Sequence, residues 1–205
     1  MDFALWISLV GVCAIGAMSP GPSLAVVLSH SMTRGLKQGL IASVAHGVGV
    51  GIYATLAVVG LAGFIHEFPI AYKVILFAGA AYLVYLAVNI LRQKTNHFEI
   101  ANNANTGNLA AAQDGFAIAF LNPKLAIFFL ALFSQFIDPD SITIGSAAIM
   151  CITVLVIDTL WYCLVSLITS HANQKFELLR YGKTINNILA IAFILLAIRV
   201  VVTNI

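Results

Sequence analysis

The chain has 205 residues, 61% of them hydrophobic and only 9% charged, with a formal net charge of +2. Soluble domains carry about 25% charged residues, so the composition excludes a water-exposed globule, and so small a net charge points away from nucleic acid. The three cysteines, Cys13, Cys151 and Cys163, lie in apolar stretches without a CxxC pair; they read as small apolar side chains, not as a disulfide framework or a metal cluster.

Six apolar stretches follow one another, each long enough to cross a bilayer as a helix, which takes about 20 residues. The first runs from about Phe3 to His30 and is interrupted by Ser19-Pro20-Gly21-Pro22. It has no basic leading segment and outruns the apolar part of a signal peptide, so it reads as a retained span. The second runs from about Gln38 to Ile65. Small residues recur there at every fourth position, from Gly35 through Gly39, Ser43, Gly47 and Gly51 to Thr55. Such a stripe on one helical face lets a neighbouring backbone come close. The third stretch runs from about Ile70 to Leu91. A polar, Asn-rich segment from Arg92 to Gln113 then reads as a cytoplasmic linker. The fourth stretch, about Gly115 to Ile137, contains Asn122-Pro123-Lys124. The fifth, about Ile142 to Thr169, contains Asp158, and the sixth runs from about Thr184 to Thr203.

Basic residues set the expected orientation. Arg34, Lys37, Arg92, Lys94, Lys175, Arg180 and Lys183 fall in the first, third and fifth connections, whereas the opposite side holds only Lys73 and Arg199. Positive loops stay in the cytoplasm. Both termini, with Asp138 and Asp140, are therefore expected outside.

An internal repeat accompanies the count of six. Gly21-Pro22-Ser23-Leu24-Ala25 aligns with Asn122-Pro123-Lys124-Leu125-Ala126 at a constant shift of 101 residues. Cutting the chain at the polar segment gives three helices in each half: residues 1–91, a linker over 92–113, and residues 114–205, all in one membrane domain. An odd number makes the halves enter the membrane from opposite sides, the inverted repeat common among secondary transporters. Proline breaks a helix by removing a donor and clashing with the preceding turn. The pieces after Pro22 and Pro123 then begin near the midplane, with unpaired N–H groups suited to a carboxylate. Ordinary proline kinks are the plainer alternative.

Polar side chains inside the spans are expensive. A charge at the bilayer centre costs at least about 2.5–3.5 kcal/mol on insertion scales, so Asp158 and Lys124 stand out. Asp158 is a candidate for binding a proton or a substrate ammonium, with Lys124 as its counter-charge; the two could equally form a structural ion pair. His46, beside the small-residue stripe, could relay protons or be a hydrogen-bonded core histidine. With Ser19, Pro20, Gly21, Pro22, Asn122 and Pro123 these form the candidate substrate or proton site. No catalytic residue, cofactor or resident metal is expected, since no nucleotide, hydrolase or metal motif occurs.

The ordered set of Ser19-Pro20-Gly21-Pro22, the glycine-spaced second span, Gly79-Ala80-Ala81-Tyr82-Leu83-Val84-Tyr85 and Asn122-Pro123-Lys124, followed by Phe128-Phe129 and Gln135-Phe136, resembles the LysE/RhtB family of amino-acid exporters. The likeness covers the whole chain. It implies efflux of amino acids or close derivatives across a bacterial inner membrane, driven by protons. Ser23 stands where many members of that family have Asn. The expected fold is all-α, with six transmembrane helices as two inverted three-helix repeats, the first and fourth helices broken by proline. The expected partners are a small-molecule substrate, protons and the lipid bilayer, with homo-oligomers left open. Efflux of another cargo such as a metal cation, or a membrane-embedded thiol oxidoreductase, are the competing readings.

Overall fold

The computed structural model describes residues 2–92, 107–137, 142–171 and 178–204. Asp138, Asp140, Lys94 and Lys175 lie outside the described residues, as does most of the expected linker. The described residues form eight α-helices and no strand: α1 (Phe3–Met18), α2 (Pro22–Arg34), α3 (Leu36–Glu67), α4 (Pro69–Arg92), α5 (Asn108–Phe120), α6 (Pro123–Ser134), α7 (Ile144–His171) and α8 (Leu178–Asn204). Helices suit bare backbone in lipid because each N–H and C=O finds its bond within its own segment.

Among the described residues, five of the six expected spans have a candidate long and apolar enough to cross a membrane. Four helices, α3, α4, α7 and α8, are each long and apolar enough to cross a membrane, and α1 with α2 makes a fifth candidate bent by 61°. The fourth stretch of the sequence is two short helices of 13 and 12 residues, neither of which spans alone. Local chemistry explains both interruptions. Ser19 precedes Pro20, which disfavours helical geometry at that position. Ser19 and Gly21 are extended, and Pro22 restarts the helix at its first position, where a missing N–H does no harm. In the second break the Leu121 N–H bonds Ala117 O and the Asn122 N–H bonds Ala119 O. Pro123 cannot continue that ladder, and α6 begins with the Leu125 N–H on Asn122 O at 3.0 Å. The α2–α3 corner is made by Gly35 at φ 92°, the only positive φ among the described residues.

Helix α3 is the hub and packs against α2, α5, α6 and α7; α4 lies on α8 and α6, and α1 on α7 and α8. Lipid offers no hydrophobic drive between helices, so close van der Waals contact between small residues holds them. A side chain at Gly47 would collide with Thr159 of α7, and one at Gly51 would reach Leu155 at 2.7 Å. The stripe read from the sequence is thus the α3–α7 seam. A second face of α3 meets α5: Gly115 sits on the backbone of Ala42, and a side chain at Gly49 would reach Ala119 at 2.9 Å. Leu9, Val50, Val58, Leu83, Phe133 and Phe193 share one buried cluster. Ile152, Leu160, Leu195 and Val202 point outward, the apolar exterior that lipid solvates.

Candidate functional site

A cavity of about 460 Å³ lies where the α1–α2 break meets α3, α4, α6, α7 and α8. That volume falls in the usual range for small-molecule sites. Leu86, Ile90, Leu125, Phe128, Val154 and Phe193 give it largely apolar walls. Its polar groups come from three places: Ser19 to Ser23 at the break, Asn122 at the second break, and a cluster of His46, Asp158 and Tyr162.

The cluster is tightly organised. His46 Nδ1 lies 2.7 Å from Asp158 Oδ2 across the α3–α7 seam. The carboxylate side chain is 12% exposed and His46 is 2% exposed. The Tyr162 ring stands edge-on to the imidazole, with centroids 4.7 Å apart, and its hydroxyl interacts with that of Ser23. His46 Nε2 is buried with no partner among the described residues. A buried carboxylate needs a partner to remain charged, and the imidazole supplies one that can itself exchange a proton.

Specific bonds tie the broken helices to their neighbours. The Ser19 hydroxyl bonds Asn186 Oδ1 of α8 at 2.8 Å, and Trp6 donates its indole N–H to Thr153 of α7 at 3.0 Å. The Tyr53 hydroxyl donates to Phe120 O, one of the carbonyls left without a helical partner at the end of α5. At the start of α2 no side chain caps the helix. The Ala25 N–H closes the first turn on Gly21 O, so the N–H groups of Ser23 and Leu24 have no intrahelical acceptor and lie at a partial positive charge.

A sequence model of LysE type translocators matches residues 14–204. The chain belongs to the LysE type translocator family. Relatives of this translocator include proteins named leucine efflux protein. The one from Salmonella typhimurium is 29% identical over 196 residues, covering 92% of this chain and 91% of the relative. Those from Klebsiella pneumoniae and an Enterobacter species are 26% and 25% identical, covering 90% and 92% of this chain and the same shares of their own. No solved structure matches the chain. Family and apolar helices together make the protein a multi-pass membrane translocator.

The translocator's cavity gathers seven of the residues singled out in the sequence: Ser19, Pro20, Gly21, Pro22, His46, Asn122 and Asp158. Pro123 and Lys124 begin α6, but their side chains lie outside the described residues. The sequence left open whether Asp158 pairs with Lys124; the structure gives Asp158 a bond to His46. Tyr162 and Asn186 were missed. Tyr162 carried a signal, since it follows Asp158 by four residues and so shares its helical face. Cys13, read as a core residue, also borders the cavity. Among the described residues the three cysteines are free, and no three metal-ligating side chains come together.

Proposed function

We propose that the chain exports an amino acid with an apolar side chain across the bacterial inner membrane in exchange for protons. The observation that carries this reading is the His46–Asp158 pair in the wall of a largely apolar cavity, beside an uncapped helix start. The substrate carboxylate lies against the Ser23 and Leu24 N–H groups, its ammonium lies on Asp158, and its side chain lies among Phe128, Phe193 and Leu86. A protonated Asp158 is neutral and releases the ammonium; an ionised one binds it. Proton and substrate therefore compete for one carboxylate, and that competition is what an antiporter needs. The leucine efflux relatives support the cargo class.

The same proposal keeps the two halves, residues 1–91 and 114–205, joined through 92–113, as oppositely inserted three-helix units with α1–α2 and α5–α6 as their broken first members. It is supported by α3 packing on α7 and α4 on α8, because equivalent helices of two-fold-related units meet each other. The distribution of basic residues supports an orientation with the Arg34 end in the cytoplasm and both termini outside.

Uptake of labelled leucine into everted membrane vesicles tests cargo, direction and coupling together. Wild-type uptake is expected to depend on an imposed proton gradient, and Asp158→Asn is expected to abolish that dependence. Unaltered, gradient-sensitive uptake by Asp158→Asn would remove the carboxylate from the mechanism. Absence of leucine uptake by the wild type would remove the proposed cargo.

A further inference from the structure

We infer that a second histidine–carboxylate pair, His30 with Asp114, is the mouth of a proton path that runs from His46–Asp158 to the Arg34 end of the bundle through buried serine hydroxyls. The inference rests on the antiport reading and extends it. His30 Nε2 on α2 lies 3.0 Å from Asp114 Oδ2 on α5. His30 is 4% exposed while the Asp114 side chain is 41% exposed, so the pair connects the interior to the surface.

The space between the two pairs is polar and incompletely satisfied. His30 Nδ1 is buried without a partner among the described residues, and so is the hydroxyl of its neighbour Ser31. The Ser31 and Ser166 hydroxyls converge on Gly39, whose missing side chain leaves them room. Ser166 Oγ lies 3.1 Å from Ser43 Oγ. Ser43 is one turn from His46 on α3, and Ser166 is two turns from Asp158 on α7, so each shares a helical face with the member of the inner pair on its own helix. The inner end of the line is His46 Nε2, again buried and unpartnered. Unpartnered buried polar atoms are rare in folded proteins. Where they gather in a polar space, water completes their bonds. Here three of them sit on His30, on its neighbour Ser31 and on His46, the two ends and one intermediate of the inferred path.

Proton transfer along this line balances at each step. Protonated Asp158 gives its proton to His46 Nδ1, and His46 gives one from Nε2 to the hydroxyl and water file. His30 takes one at Nδ1 and gives one from Nε2 to Asp114, which loses it to solvent. Each ring gains one proton and loses one. The charged and titratable groups on the helices packed against α2 are Asp114 on α5, Lys37, His46, Tyr53, His66 and Glu67 on α3, and Cys151, Asp158, Tyr162, Cys163 and His171 on α7. Arg34 and Lys37 flank the α2–α3 corner at the exit, where positive charge favours proton release.

The test compares two fluxes of labelled leucine in vesicles, for the wild type, His30→Gln, Asp114→Asn and Ser31→Ala. Gradient-driven uptake uses the path; exchange of labelled for unlabelled leucine at equal pH moves no net proton and reports a folded, binding carrier. His30→Gln is expected to lower gradient-driven uptake by about a hundredfold, the low end for a positioned proton-transfer group, with exchange retained. Ser31→Ala, which deletes a single oxygen, is expected to lower the same flux and not the other. Parallel loss of both fluxes in all three variants makes the pair a mere structural clamp and overturns the path. A gradient-sensitive wild type with equally sensitive variants also overturns the path while sparing the antiport reading. A wild type blind to the gradient overturns both.

Discussion

His46 and Asp158 meet across a seam between helices, and each is held inside the protein by the other. Removing one leaves its partner buried without a bond. His46→Leu is expected to destabilise the folded protein by about 1–3 kcal/mol, the penalty for an orphaned buried polar group. The combined His46→Leu, Asp158→Leu variant is expected to lose less than Asp158→Leu and His46→Leu added together, because neither orphan remains. Thermal unfolding in detergent measures both, and additive losses would mean that the pair is not energetically coupled. The sequence disclosed each residue separately: a carboxylate or an imidazole inside an apolar stretch stands out by its cost alone. It could not disclose the pairing, which spans 112 positions and depends on the register of α3 against α7. From the sequence, Lys124 was one candidate counter-charge for Asp158, and its pairing stayed open. His30 and Asp114 went unremarked because they sit where a span gives way to a polar segment, and polar residues are ordinary there.

Among the elements, the small-residue faces of α3 decide how closely its neighbours approach. Gly115 of α5 has the Ala42 backbone directly over the position a side chain would occupy, and backbone cannot swing aside. Gly115→Ala is therefore expected to cost about 1–3 kcal/mol through overpacking. Gly11 of α1 has nothing within 4 Å of that position, so Gly11→Ala is expected to be neutral or stabilising by up to about 1 kcal/mol. A thermal shift in detergent separates them, and equal shifts would contradict the close α3–α5 seam. The seam with α7 was legible in the sequence because its spacing of four matches one helical turn. The α3–α5 seam was not, since Ala42 and Gly49 lie off that stripe. Both helix breaks were legible because proline and its preceding residue restrict the backbone wherever they stand. What a proline cannot announce is the length of the pieces beside it. The apolar stretch from Gly115 to Ile137, expected as a span broken by proline, is two short helices of 13 and 12 residues that meet at Leu121 and Asn122.

For the molecule as a whole, the orientation rests on the distribution of charge, and the length of α3 makes it testable. Its 32 residues extend about 48 Å at 1.5 Å per residue, well beyond the roughly 30 Å of hydrocarbon in a bilayer. Its two ends must then emerge on opposite faces. Lys37 is exposed near one end, and Phe68, 57% exposed, follows the other. A membrane-impermeant thiol reagent can distinguish them once Cys13, Cys151 and Cys163 are replaced by serine. Phe68→Cys is expected to react in intact spheroplasts, and Lys37→Cys only after the membrane is opened. The reverse pattern would turn the molecule over, placing Arg34, Lys37 and the His30–Asp114 pair outside. Protons entering down their gradient would then meet that pair first, so the same ladder of serines would carry them inward to Asp158 and the linker over 92–113 would lie outside the cell. Reaction of both cysteines in intact spheroplasts would mean that α3 does not cross the membrane, and the cavity at its centre could not lie at the midplane.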